Sequence, residues 1–214
     1  MQLVSVKGSP YAARVRLAIY RKELPVEIVF PPREGLKAPE FLALNPIGKI
    51  PVLVLDDGST LPESNVILEY LEDVFPAPSL RPAVAELRAK ARLLAQLGDV
   101  YVFAALGQLF RQVDPARRDA ETVARGAAAL GKSLGYLEHH LGPGPFAVGE
   151  GYSLADCSLA PVLALADILA RHLGLPDPFT TPKLAAYWAA LQADPVTARV
   201  LEEIAAGMAK MLAK

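Results

Sequence analysis

The stretch Phe75-Pro76-Ala77-Pro78-Ser79-Leu80-Arg81-Pro82 is the strongest constraint on how this 214-residue chain can fold. Proline fixes φ and lacks a backbone donor, so three of them this close together interrupt both a helix and a central strand. The sequence differs in kind on either side. Short β-prone runs alternate with helical ones before it, and nearly everything after it has helical periodicity. A chain of this length can hold two domains of about 100 residues each. The expected division is a domain of residues 1–75, a linker at 76–83 and a second domain of residues 84–214.

In the first part, Leu3 to Val6 is a short β-prone run, and Pro10 to Lys22 carries Val15, Leu17, Ala18 and Ile19 largely on one helical face. Val26 to Phe30 is a second apolar run. The strand–helix–strand order makes these two strands a right-handed parallel pair. A Pro-rich loop (Pro31, Pro32, Gly35, Pro39) leads to a third strand, Pro51 to Leu55. Asp57-Gly58 is a hairpin turn, which sets an antiparallel fourth strand at Thr60 and Leu61. Glu63 to Val74 reads as a helix with Val66, Ile67, Tyr70 and Leu71 on one face. The expected class is α+β, a four-stranded mixed sheet with helices on its faces.

Beyond the linker the periodicity predicts helices over Ala83–Gln112, Ala116–Leu141, Leu154–His172, Pro182–Ala193 and Pro195–Leu212, an all-α bundle. Ser153-Leu154-Ala155-Asp156 has the spacing of a capping box, with Asp in place of Glu or Gln, and marks a helix start rather than chemistry.

Charge and cysteine content narrow the function classes. Net charge is −1, and residues 1–80 hold 8 Lys and Arg against 10 Asp and Glu, so no basic stripe forms. A nucleic-acid partner drawn by electrostatics is therefore not expected. Cys157 is the only cysteine, which excludes an internal disulfide and a Cys-rich metal site. The opening Met-Gln-Leu-Val-Ser-Val-Lys lacks a leader pattern, and Asp, Gly, Gln or Arg break the apolar runs. Neither a signal peptide nor a membrane partner is expected, and the expected location is cytoplasmic. His139 and His140 adjoin and are expected to point apart on a helix, without a metal.

Three segments before the linker carry the chemistry. In Gly8-Ser9-Pro10-Tyr11-Ala12-Ala13-Arg14-Val15-Arg16, Ser9 fits a helix N-cap and Pro10 the first helical position, which is a purely structural reading. The same geometry has a functional reading, because a hydroxyl at the positive end of a helix dipole, among exposed N–H groups, suits an anion. In Asn45-Pro46-Ile47-Gly48-Lys49-Ile50-Pro51-Val52-Leu53, Pro51 taken alone reads as a trans edge proline. In Glu63-Ser64-Asn65-Val66-Ile67-Leu68-Glu69-Tyr70-Leu71, Glu63-Ser64 taken alone reads as a helix start.

By their order and spacing, and with the helical second half, these segments resemble the cytosolic glutathione transferases of the serine type, with tau-, zeta- and theta-like motifs. The resemblance spans the whole chain. It implies a thioredoxin-like first domain, glutathione as co-substrate, no metal, and a homodimer. It also implies that Ser9 donates a hydrogen bond to the glutathione thiolate. Pro51 is then cis, and the Ile50 backbone pairs with the cysteinyl residue. Ser64 takes the γ-glutamyl carboxylate, Glu63 the γ-glutamyl ammonium, and Lys49 and Lys37 the glycyl carboxylate. Lys37 stands in a variable loop where a solvated lysine serves as well. Serine is too weak a base to remove the proton, so its role is to stabilise the anion. Lowering a thiol pKa of about 8.5 by two units takes about 2.7 kcal/mol. One charge-assisted hydrogen bond of about 1.5–3 kcal/mol plus a helix terminus of about 0.3–1 kcal/mol suffices.

Candidates for the electrophile pocket are Tyr11, Tyr101 and Phe103, each of which also fits a core position. Met208 and Met211 could close an adaptable apolar pocket, or pack in the core. The expected reaction is attack of the thiolate on a small apolar electrophile, in conjugation, dehalogenation or isomerisation. Gly8-Ser9-Pro10 stands where the zeta-class isomerases of maleylacetoacetate carry two serines and a cysteine, and no cysteine near Ser9 serves thiol–disulfide exchange. The alternative is a non-catalytic interaction module of the stringent-starvation-protein kind. Such relatives usually lose glutathione contacts, whereas Ser9, Ile50, Pro51, Glu63 and Ser64 are all present.

Overall fold

The computed structural model describes residues 1–213. The chain begins β1 (Gln2–Val4), α1 (Pro10–Lys22), β2 (Glu27–Val29), α2 (Pro39–Leu44), β3 (Val52–Val54), β4 (Thr60–Pro62) and α3 (Ser64–Val74). The strand order is β2-β1-β3-β4, with β1 parallel to β2 and antiparallel to β3, and β3 antiparallel to β4. This is the four-stranded mixed sheet that the order of elements predicts, and it has the thioredoxin-like character that the resemblance implies. Side chains alternate across it. Leu3 and Leu53 meet Val15, Ile19, Ile67 and Leu71 of α1 and α3 on one face, and Val4 and Val52 meet Phe41 of α2 on the other. Helix α2 falls where only a loop is expected. Pro39 takes a first-turn position, where its missing N–H costs nothing, and the fully buried Phe41 anchors the helix.

The rest is helical: α4 (Ala85–Leu97), a π-helical turn (Gly98–Val102), α5 (Phe103–Phe110), α6 (Ala120–His140), α7 (Leu154–Leu173), α8 (Pro182–Ala193) and α9 (Pro195–Leu212). The single helix expected up to Gln112 is thus re-phased at Gly98, where a Cβ would lie 3.0 Å from Leu159 of α7. Helix α6 starts later than Ala116, because the Asp119 carboxylate caps it by accepting the Thr122 N–H at 2.8 Å. The continuous run Ala85–Phe110 is long and apolar enough to cross a membrane by composition, which the broken apolar pattern does not predict. In the fold 33% of its most apolar window is buried, and Asp99 in its middle pairs with α1. The rings of His139 and His140 meet edge to face at 4.8 Å rather than pointing apart.

Helix α7 opens with the expected capping box, the Ser153 N–H donating to Asp156 at 2.7 Å. Asp156 also accepts from the Ala147 N–H at 2.8 Å and the Tyr187 hydroxyl at 3.0 Å. Burial pushes its carboxyl up in pKa, and these donors pull it down.

Helix α1 lies between the two halves. Val15 and Ile19 face the sheet, while Ala13, Leu17 and Ala18 join the core of the helical part. A helix covered on both sides buries its cations, which then require counter-charges. Arg14 is 0% and Arg16 1% exposed, and each finds an acid from the helical half: Asp99 at 2.5 Å and Glu203 at 2.9 Å. The buried Lys22 pairs with the buried Glu72 of α3.

Candidate active site

Ser9 caps α1, its Oγ accepting the Ala12 N–H at 3.2 Å. A hydroxyl that accepts on one side keeps its proton for donation on the other. Arg16 fixes the loop in front of it, donating to Ser5 Oγ at 2.7 Å and to the carbonyls of Val6 at 3.0 Å and Lys7 at 2.8 Å. Two cavities meet this helix terminus: Ser9 and Pro10 line one, and Tyr11 lines the other.

The cavity at Tyr11 is a polar cleft of about 140 Å³, shared with Asn45, Lys49, Ile50, Glu63 and Ser64. Pro51 also lines it, and the Ile50–Pro51 bond is cis. Asn45 is 2% exposed and shapes the approach to Ile50, donating to the Lys49 carbonyl at 2.8 Å and accepting the Ile47 N–H at 3.1 Å. Glu63, at the N-cap of α3, has φ +69°, a left-handed value that costs a non-glycine residue of order 1–3 kcal/mol. Ser64 follows it, buried, and its Oγ accepts from Arg14 Nη1 at 3.4 Å. Lys37 stands outside the cleft lining. Its Nζ packs on Gly48, beside Lys49, where an added Cβ would come within 2.7 Å of it.

Tyr11 stacks on Phe103 with centroids 4.3 Å apart, and the Arg14 guanidinium lies 4.9 Å from the Tyr11 ring. Burial raises the pKa of the Tyr11 phenol and Arg14 partly offsets this. Behind the cleft, Asp99 accepts from Arg14 at 2.5 Å and from Asn65 at 2.8 Å, and Ser158 donates to Asn65 at 2.9 Å. This network joins α1, α3, the π turn and α7, and Arg14 Nε is buried in it without a partner. Sequence reasoning passed over Arg14, Asn65, Asp99 and Ser158. The available signal was Asp99, the one charged residue between Leu94 and Phe110.

The second cavity is an apolar groove of about 720 Å³, walled by Phe30, Phe110, Leu165, Met208 and Met211, with Ser9 at its edge. Of the three aromatic candidates, Tyr11 lines the polar cleft instead, and Phe103 stacks on Tyr11. Tyr101 turns to α6, edge to face with Tyr136 at 5.4 Å. Helix α9 reaches the groove because its Gly207 abuts Gly8: a Cβ on Gly207 would lie 2.3 Å from the Gly8 nitrogen. Cys157 is fully buried, and burial pushes its thiol well up in pKa. Among the described residues no cluster of three or more His, Cys, Asp or Glu could hold a metal.

The cleft thus offers an acid, a buried hydroxyl at a helix start and a free backbone edge, as a zwitterionic peptide requires. The groove offers apolar walls, and a hydroxyl donor stands between the two. Residues 8–74 match the family model of the glutathione S-transferase N-terminal domain, and residues 120–190 that of the C-terminal domain. A probable glutathione S-transferase of Oryza sativa subsp. japonica is 35% identical, over 87% of this chain and 82% of its own. A stringent starvation protein A homolog of Haemophilus ducreyi is 30% identical, over 76% of this chain and 73% of its own. The solved glutathione S-transferase of Methylobacterium radiotolerans, in complex with glutathione sulfonate, superposes with a TM-score of 0.76 at 32% identity, covering 94% of this chain and 93% of that one. By both of its halves, and by the sheet and helical bundle that carry them, this chain belongs to the glutathione S-transferase family.

Proposed function

We propose that this protein binds glutathione in the polar cleft and activates its thiol as a thiolate at Ser9, for attack on a small, largely apolar electrophile held in the groove. The observation that carries this reading is the position of the α1 N-terminus between a polar and an apolar cavity, with a capping hydroxyl free to donate. Ser64 takes the γ-glutamyl carboxylate, Glu63 its ammonium, and the Ile50 backbone the cysteinyl residue; Lys49, with Lys37 behind it, takes the glycyl carboxylate. We take residues 1–75 as the glutathione-binding domain, 76–83 as linker and 84–214 as the helical domain. We place the protein in the cytoplasm as a homodimer, the first domain of one subunit against the helical domain of the other. Exposed Val66 on α3, Val84 at the N-cap of α4, Leu93 on α4 and Val100 on the π turn support that contact. A monomer mass by light scattering at micromolar concentration would refute it.

Ser9→Ala should lower turnover about ten- to a hundredfold, equivalent to about 1.4–2.7 kcal/mol of lost thiolate stabilisation, with a smaller change in glutathione affinity. Ser64→Ala should show the reverse. Ultraviolet absorbance of the bound thiolate, titrated from about pH 5 to 9, tests this directly, because an unperturbed thiol ionises near about 8.5. Should the protein bind glutathione and show no thiolate below about pH 8, Ser9 is a helix cap only. The similarity to the stringent starvation protein homolog then points to the interaction-module reading.

A further inference from the structure

The groove beside Ser9 carries a charge bias that an apolar substrate alone does not use. Its lining holds two cations, Lys7 and Lys210, and no carboxylate, in a chain whose net charge is −1. Neither lysine forms an ion pair among the described residues. The acid of α9 closest to them in sequence, Glu203, is taken by Arg16 and Arg199. Their placement follows from the backbone contact of Gly207 with Gly8. Lys7 directly precedes Gly8, and Lys210 lies three residues beyond Gly207, about 4.5 Å further along the helix axis. Lys210 shares the groove-facing side of α9 with Ala206, Gly207 and Met211. The two lysines therefore stand on either side of one backbone contact, and both line the groove together with Ser9. Phe30, 74% exposed, leaves an aromatic face open in the same groove.

We propose that the electrophile this groove selects is an aromatic molecule bearing an anionic group, a carboxylate or sulfonate, with the ring against Phe30 and the methionines and the anion between Lys7 and Lys210. The proposal rests on the transferase reading above and narrows its substrate class. A groove of about 720 Å³ accommodates such a ligand, since small-molecule pockets run to about 300–1,000 Å³.

The test uses 4-chloro-3,5-dinitrobenzoate and its methyl ester with the full-length protein. In both, the glutathione sulfur attacks the chlorine-bearing carbon, a C–S bond forms, the C–Cl bond breaks, and chloride leaves with the electron pair. The thiol proton has already gone to solvent. The readout is the ratio of kcat/KM for benzoate to that for ester, which cancels intrinsic reactivity when variants are compared. Lys7→Gln and Lys210→Gln should each lower this ratio about two- to fivefold, as partly screened ion pairs do, and the double Lys→Glu variant about tenfold or more. High salt should compress the wild-type ratio in the same direction. A ratio unchanged in the double variant overturns the proposal, and so does an equal fall for both substrates. If the wild type binds glutathione but conjugates neither compound, the transferase reading fails separately. Calorimetric binding of the benzoate and the ester to wild type and double variant then decides the groove: equal benzoate-to-ester affinity ratios in the two proteins would sink the proposal.

Discussion

Replacing Gly207 by Ala tests whether the C-terminal helix is part of the site or only packs beside it. The new Cβ would stand 2.3 Å from the nitrogen and 2.4 Å from the Cα of Gly8, both backbone atoms with no rotamer to yield. Ordinary carbon contacts begin near about 3.5 Å, so α9 and the Gly8 loop must part by about 1 Å. Overpacking of this kind costs about 1–3 kcal/mol, and the better helix propensity of Ala returns up to about 1 kcal/mol. The expected loss of stability is therefore modest, about 0–2 kcal/mol. The functional loss should be larger, because a displacement of about 1 Å next to a reacting group can cost about a hundredfold in rate. Gly131→Ala is the control: it lies inside α6 with nothing within 4 Å of its added Cβ, and should stabilise by about 0.5–1 kcal/mol. Urea unfolding and glutathione conjugation are measured for both variants. A Gly207→Ala protein that retains wild-type kcat/KM, or loses activity only in proportion to the fraction unfolded, would show that α9 only packs beside the site.

Three further outcomes follow from buried groups. Glu72→Ala leaves Lys22 charged and buried without a counter-ion, and thermal and urea unfolding should show about 3–5 kcal/mol lost; a loss below about 1 kcal/mol would mean that the pair is relaxed in solution. Asp99→Asn removes the charged acceptor of Arg14 and should cost about 1.5–3 kcal/mol, while raising the KM for glutathione more than that for the electrophile, because Arg14 bonds Ser64; equal rises in both would refute the coupling. Cys157, whose thiol burial holds in its protonated form, should not react with a thiol reagent at pH 8 in the native protein and should react fully in denaturant; native-state labelling would contradict that burial.

Local chemistry made much of the fold legible in the sequence. Asp57-Gly58 forms its turn with Gly58 at φ +83°, the Ser153–Asp156 box closes, and Ser9 and Pro10 start α1 where expected. What escaped depends on distant partners. Helix α2 is six residues long and is held by Phe41 against the far side of the sheet, a contact that no local pattern announces. The π turn exists because Leu159 packs on Gly98, across nearly half a helical domain of intervening sequence. The cleft was legible because its residues other than Pro62 fall in three compact segments, 8–16, 45–53 and 63–71. The groove was not, since its walls come from Phe30, Phe110, Leu165 and α9, and only Met208 and Met211 stood out as candidates.

The ion pair between Arg16 and Glu203 sets a clock on biosynthesis. The two residues lie 187 positions apart, and ribosomes add roughly 5–20 residues per second. Arg16 therefore exists for about 10–40 s before the carboxylate that neutralises it is made. During that interval the side of α1 that carries Ala13, Leu17 and Ala18 also lacks α7 and α9. The nascent first half can form its sheet, but it presents an uncovered apolar strip with an unpaired cation to its surroundings. A chaperone that recognises such strips would meet this chain mid-synthesis, and slow codons late in the message would prolong the encounter.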